Sequence, residues 1–369
     1  MTYNSGLKLV RENVTLDFTK DALLAKLHDF AYLDEQTARD KYKLTQDSRN
    51  WKLPIVQQFL KSVNINAKYV KSIVYKPFDV RYTYYTDRKK GIVERSGYSI
   101  NKHMLSIDDN VALLSTRCLA TEVFKHNFVI SGGFTATGRC LKENQVSGET
   151  CYIFPLFIIE EQKSLLESSM KSNFKESFIS FINEKYHKQF QPQEILGYIC
   201  AILSSNIYRT KFNEFLRIDF AKIIFVDSVK LFEKLSKLGM NLINAQLFRN
   251  LIDLDKSVGV HISKVNEKRI VEKVEYLKDK KELIYSDNCK FINVPFKVYE
   301  FSIGTYRVLK NYLRFRKGRE LSNDEIAHLE NVIRVINYTF DIQEQIDLII
   351  CNLQEFSSND DLSSLSLVS

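Results

Sequence analysis

Tyr75-Lys-Pro-Phe-Asp-Val-Arg-Tyr-Thr-Tyr-Tyr-Thr-Asp-Arg-Lys-Lys-Gly91 decides how the rest of the chain is read. Val80, Tyr82, Tyr84 and Tyr85 are strand formers, as are Val70, Ile73 and Val74 just before them. On a strand, successive side chains alternate sides, so Arg81, Thr83 and Tyr85 share one face and Tyr82 and Tyr84 the other. One face can pack in a core while the other offers guanidinium and hydroxyl groups. Arg88-Lys-Lys90 follows at a turn, and Arg95 and Lys102 extend the basic character. Arginine can pair with guanine edges through two hydrogen bonds, and lysine can neutralise phosphates. A tyrosine-rich sheet with an ordinary basic rim is the alternative.

Working outward, runs of strand formers continue at Val111–Leu114, Val123–Ile130 and Cys151–Ile159, with Gly91, Gly97, Gly132, Gly133, Gly138 and Gly148 between them. The stretch before residue 67 reads as helices on a short extended piece. Asp17 or Thr19 can cap Leu23, Leu24, Leu27 and Phe30, and a second helix begins near Trp51-Lys-Leu-Pro54. Residues 161–250 return to helices, with Pro192 at a first helical position and a short buried strand at Ile223–Val226. Alternating strands are expected through 266–302, including Val298 and Phe301. Helices follow from Gly304, and Ser322-Asn-Asp-Glu325 is a capping box ahead of a packing seam of Ile326, Leu329, Ile333, Ile336 and Phe340. The fold class is α+β: a mixed β-rich body with helical insertions, an N-terminal helical connector and C-terminal helices. The expected units are 1–66, 67–302, 303–356 and a frayed tail, 357–369.

The 369 residues suit more than one small core. No run approaches 18 apolar residues, which rules out a long apolar spanning helix, and no secretory signal pattern opens the chain. A cytoplasmic protein with no membrane partner is expected. None of the six cysteines forms a CxxC pair, so reduced and mostly buried thiols are expected. Net charge is +8, but its distribution matters more. Residues 68–102 carry nine basic and three acidic side chains, 297–319 seven and one, and 320–369 one and ten. Two basic islands point to a polyanion partner. The second holds Phe301-Ser-Ile-Gly-Thr-Tyr-Arg307 and a helix ending in Arg314, Arg316, Lys317 and Arg319, with Gly318 suited to its C-cap.

Catalytic signatures are absent. The chain has no G-x-x-x-x-G-K-[ST] loop, and no Pro-Pro pair of the kind amino-methylating DNA methyltransferases carry. Gly132-Gly-Phe-Thr-Ala-Thr-Gly138 lacks the lysine of a phosphate loop and reads as a turn between strands. No Pro-Asp pair precedes Glu161-Gln-Lys163, and the six histidines show no metal-binding spacing. Catalytic residues, metal ligands and cofactor contacts are therefore not assigned in this chain.

Four ordered motifs resemble the C-terminal specificity region of type ISP and related single-chain, type IIG-like restriction–modification enzymes. They are Asn4–Asn13 with Asp17–Leu24, Tyr75-Lys-Pro-Phe-Asp-Val-Arg81, Ala201–Arg209 with Phe215–Phe220, and Phe301-Ser-Ile-Gly304 with Arg316-Lys-Gly-Arg-Glu-Leu-Ser322. The resemblance implies a target-recognition domain that reads a short double-stranded DNA sequence. It would deliver an adenine to a methyltransferase core that uses S-adenosylmethionine and flips the base out. Nuclease and ATPase domains, with Mg and ATP, are implied upstream, in the same polypeptide or in trans. The chain then reads as a fragment, a separate specificity subunit or a truncated product, and residues 1–66 as the connector after the methyltransferase. Two departures stand out: Lys76 replaces an arginine of the family pattern, and Thr305 stands where glycine is usual. The expected DNA-binding residues are Lys76, Arg81, Tyr85, Arg88, Lys89, Lys90, Arg95 and Lys102, joined by Arg139 and Lys142 from the glycine loop. Arg314, Arg316, Lys317 and Arg319 are expected on phosphates. A module that docks a methyltransferase with little DNA affinity is the first alternative. A nuclease built from unpatterned carboxylates is the second.

Overall fold

The computed structural model describes the chain except for residues 87–91, 144–148, 161–168, 265–266, 354–364 and 367–369. Arg88, Lys89 and Lys90, Glu161-Gln-Lys163 and most of the expected tail therefore lie outside the described residues.

The quoted stretch forms a hairpin. Val70–Lys76 runs antiparallel to Asp79–Tyr84, joined across Pro77-Phe78, where Phe78 takes the left-handed backbone conformation with φ 61°. Leu16–Asp17 adds to its outer edge, and Thr135–Ala136 lies parallel to Val70–Lys76. A second four-stranded sheet orders Asn4–Ser5, Cys151–Pro155, Val111–Thr116 and Phe128–Ser131. The N-terminal residues thus stitch into both sheets. Their helices share a core with the hairpin: Leu23, Leu27, Phe30, Trp51 and Leu60 pack with Val70 and Tyr84. Thr19 caps the helix Lys20–Tyr32, and Pro54 sits in the first turn of Leu53–Ser62.

The hairpin corrects one expectation. On the face carrying Arg81, Thr83 and Tyr85, only the half-buried Arg81 reaches the surface. Thr83 is fully buried and donates its hydroxyl to the Thr15 carbonyl at 2.8 Å, and Tyr85 is 6% exposed. Thr15 closes off Thr83, and Tyr85 packs with Leu7, Leu9, Leu16 and Val93, so alternation along the strand does not separate a wet side from a dry one. A helix, Tyr98–Leu105, also falls where only strands were expected.

The helical middle is held by Pro192–Ser204 against Val229–Gln246. The two backbones meet at Gly197 and Gly239; a Cβ on Gly239 would lie 1.8 Å from the Gly197 carbonyl oxygen. Pro192 is the first helical residue, as its fixed φ favours. A four-stranded antiparallel sheet follows, in the order Val260–Ser263, Cys289–Ile292, Glu282–Ser286 and Glu275–Leu277. Val298 belongs to the helical turn Phe296–Tyr299 and Phe301 follows that turn, so the expected last strand is absent from the described chain there. The final helix, Asn323–Ile350, begins at the capping box of Ser322 and Glu325. It buries Ile326, Leu329, Ile333 and Ile336 as its spacing predicts, while Phe340, the last of the seam, is half-buried. Cys140, Cys151, Cys200 and Cys289 are buried free thiols; Cys118 and Cys351 are free and exposed.

Candidate nucleic-acid interface

The two basic segments meet at a buried charge. Asp79 is fully buried, and its two carboxylate oxygens accept from Arg81 Nη2 at 2.9 Å and Arg316 Nη2 at 3.0 Å. Arg316 also donates to Glu325 Oε1 at 3.0 Å and to the Tyr312 carbonyl at 3.2 Å, with its guanidinium 3.5 Å from the Tyr312 ring centre. Burial alone would raise the Asp79 carboxyl, but Arg316 and Arg81 together hold it below the usual carboxylate range. Burial alone would lower Arg316; Asp79, Tyr312 and Glu325 more than offset this and raise it. Arg319 stacks 3.7 Å from the Phe18 ring centre and reaches Glu325 at 3.4 Å. Arg81 lies between Tyr75 and Phe18, at 4.1 and 4.4 Å from their ring centres.

On one side of this lock a cleft of about 560 Å³ opens. Its floor is Ser5–Leu9, bridged to Thr137, and its walls carry Lys76, Arg95, Arg139 and Lys142 with Glu12, Glu143, Glu149, Tyr75 and Phe315. Lys76 is 5% exposed and donates to the carbonyls of Arg139, at 2.8 Å, and Lys142. Burial lowers its pKa, and burial lowers that of Lys142 as well. The carboxylates of the wall are engaged. Glu12 accepts from the Tyr75 hydroxyl at 2.7 Å, Glu143 pairs with Arg314 at 3.2 Å, and Glu149 accepts from the Ala120 amide at 2.7 Å and faces His126. By contrast, among the described residues no carboxylate lies within 4 Å of Lys76, Arg95 or Arg139.

A second, shallower cleft of about 520 Å³ adjoins the first along Glu12, Tyr75 and Phe315. Arg81, Lys26, Lys41 and Lys43 line it. Arg81 Nε is buried and has no hydrogen-bond partner among the described residues.

Of the sequence-predicted residues, the fold gathers Lys76, Arg95, Arg139 and Lys142 in the first cleft and Arg81 in the second. Arg314 meets the first cleft's rim through Glu143, and Lys317 is exposed beyond it. Lys102 sits half-buried on its helix, outside both sets of walls. Arg316 and Tyr85 are interior, and the Arg316 guanidinium is occupied by Asp79 and Glu325. Sequence reasoning missed Glu12, Lys8, Lys26, Lys41, Lys43 and Phe315. No local signal marks the first five; only the packing of residues 8–43 across the hairpin brings them there. Thr305, the second departure from the family pattern, accepts from the Glu143 amide at 2.9 Å, which ties the C-terminal loop to the cleft wall.

By class, this is an α+β domain whose N-terminal strand floors a cation-lined cleft. Residues 1–345 match the family described as the type ISP C-terminal specificity domain, and the chain belongs to that family. Three solved structures share the fold. The ATP-dependent type ISP restriction–modification enzyme LlaBIII bound to DNA aligns with a TM-score of 0.69 at 17% identity, over 93% of this chain and 23% of that one. A nuclease-deletion mutant of the type ISP enzyme LlaGI in complex with a DNA substrate mimic gives 0.64 at 14%, over 94% and 33%. The DrdV–DNA complex gives 0.66 at 14%, over 98% and 36%. This chain therefore spans between about a quarter and a third of those proteins. No curated protein matches it. Among the described residues, no helix is long and apolar enough to cross a membrane.

Proposed function

We propose that the chain reads a short double-stranded DNA sequence for a restriction–modification enzyme, positions a target adenine for S-adenosylmethionine-dependent methylation, and directs restriction. The single observation that carries this reading is the first cleft. It sets the exposed Arg95 and half-buried Arg139, neither with a carboxylate within reach among the described residues, on one wall beside the buried Lys76 and Lys142, while Glu143 is paired with Arg314. That leaves positive charge available for a polyanion. Membership in the specificity-domain family and the DNA complexes among its structural neighbours support the reading. Methyltransferase and nuclease domains would act in the same polypeptide or in trans, and would hold S-adenosylmethionine, Mg and ATP. The compartment would be the cytoplasm.

The test is a binding selection: the 369-residue chain with a randomised duplex pool at two salt concentrations, followed by sequencing of the retained DNA. One enriched short motif that survives the higher salt is expected. Binding that collapses with salt and enriches nothing would leave only phosphate contact. The rival reading, a module that docks a methyltransferase, draws on Tyr32, 72% exposed on the N-terminal helices. It expects no retained duplex until the partner is added.

A further inference from the structure

Glu12 is out of place electrostatically, and that is informative. It lines both clefts, at the seam where Lys76, Arg95 and Arg139 on one side meet Arg81 and Lys43 on the other. A surface built only to hold phosphates gains nothing from a carboxylate there, because like charges repel. Yet the fold takes trouble to keep it. Arg11, the residue before it, adopts the left-handed conformation with φ 57°, a strained choice for a side chain with a Cβ. Tyr75 then donates its hydroxyl to Glu12 Oε2 at 2.7 Å. Oε1 has no hydrogen-bond partner among the described residues.

We propose that Glu12 is a base-reading residue, whose free carboxylate oxygen accepts a hydrogen bond from the exocyclic amino group of a base in the major groove. This rests on the DNA-recognition reading above. An ionised carboxylate only accepts. The major-groove donors are the amino groups of cytosine and adenine; guanine and thymine present acceptors, which a carboxylate repels. Cytosine fits better, because the adenine amino group lies beside the N7 acceptor. Tyr75 is the positioning residue: its hydroxyl occupies one oxygen and aims the other. The cations on either side would hold the flanking phosphates and overcome the local repulsion, so Glu12 would set sequence preference at the expense of general affinity.

The experiment repeats the binding selection with Glu12→Gln and Glu12→Ala, each checked by thermal melting. Glu12→Ala should lose preference at one base pair, by about five- to tenfold, and Glu12→Gln, with an added amide donor, should move it toward adenine, while affinity for random duplex rises in both. The amino group is then deleted at that position, with 2-pyrimidinone in place of cytosine or purine in place of adenine. Wild type should bind this duplex about five- to tenfold more weakly than the intact one, and Glu12→Ala, which has no acceptor left, should bind both alike. Tyr75→Phe should weaken the discrimination but keep the motif. If wild type enriches a motif and the Glu12 variants enrich the same one with unchanged preference, Glu12 is structural and the proposal fails while the DNA reading stands. Equal weakening of both proteins by amino deletion also overturns it. A wild-type chain that retains no duplex at either salt overturns the DNA reading and this proposal together.

Discussion

Asp79 and Arg316, 237 residues apart in sequence, form a 3.0 Å ion pair in which Asp79 is wholly buried and Arg316 is 3% exposed. The pair joins the hairpin to the turn before the last helix. Glu325, which caps that helix through the Ser322 amide, holds Arg316 from the other side. The relationship orients the strand that presents Arg81 to the second cleft.

Removing one member of such a pair leaves the other charge buried. Asp79→Ala should therefore lower stability by about 3–5 kcal/mol. The double variant Asp79→Leu/Arg316→Met removes both charges and should lose clearly less. Urea unfolding of the three proteins measures this. A single-variant loss under about 1 kcal/mol would show that water reaches the site.

Acid should destabilise the chain in two steps. His328 lies against Phe78, with Nε2 2.7 Å from the Phe78 carbonyl; burial lowers its pKa, the Phe78 carbonyl partly offsetting this. His261 is lowered too, chiefly by burial. Unfolded histidine binds its proton near pH ~6.5, so stability is full above that value and falls as pH drops toward the lower folded values. Asp79 is shifted down as well; its contribution is present above about pH 3.9 and disappears as pH falls through its folded value. Melting temperature should drop between pH 7.5 and 5.5, and less so in His328→Gln. An unchanged pH profile in that variant would remove His328 from the account.

The glycines at 239 and 318 should respond differently. Gly239→Ala drives a methyl into the Gly197 carbonyl, so the two helices must part, at about 1–3 kcal/mol or more. Gly318 has φ 81° but no atom within 4 Å of a new Cβ. Gly318→Ala should cost about 1 kcal/mol, from backbone strain alone. Denaturant midpoints rank them, and the reverse order would contradict the close helix crossing.

Cleft cations and lock cations should separate in function. Arg95→Gln and Arg139→Gln should melt like wild type, yet each should reduce the slope of log affinity against log salt by about 0.9. Arg316→Gln should lose stability first. Fluorescence anisotropy on one duplex, across a salt series, reads the slopes. Unchanged slopes in both cleft variants would take phosphate binding away from this cleft.

Much of the fold was legible because its signals are local. Thr19 and the Ser322–Glu325 capping box mark helix starts through hydrogen bonds that close within one turn, and Pro192 does so through its fixed φ. The seam of Ile326, Leu329, Ile333 and Ile336 follows from helical period alone. The hairpin's strands were also readable, but not its faces: strand alternation tells which side chains share a side, not what covers that side. Thr15 closes off Thr83 here, from 68 residues earlier. The same limit produced the misplaced strand at Val298 and the missed helix Tyr98–Leu105, where short apolar runs fit either state.

By itself the sequence determined the α+β class, the order of basic islands, the buried thiols and the motifs that mark the family. Those depend on composition, short-range periodicity and residue type. Only the tertiary structure decided which charges face outward. Arg81 and Arg316 carry the same guanidinium, lie in quoted motifs and both pair with Asp79, yet Arg81 still lines a cleft while Arg316 is enclosed between Asp79 and Glu325. Lys8, Lys43 and Glu12 had no pattern to announce them and are brought to the clefts by chain packing. A side chain's charge is set by its chemistry, but its availability is set by the partner that folding places beside it, and that partner can be 237 residues away.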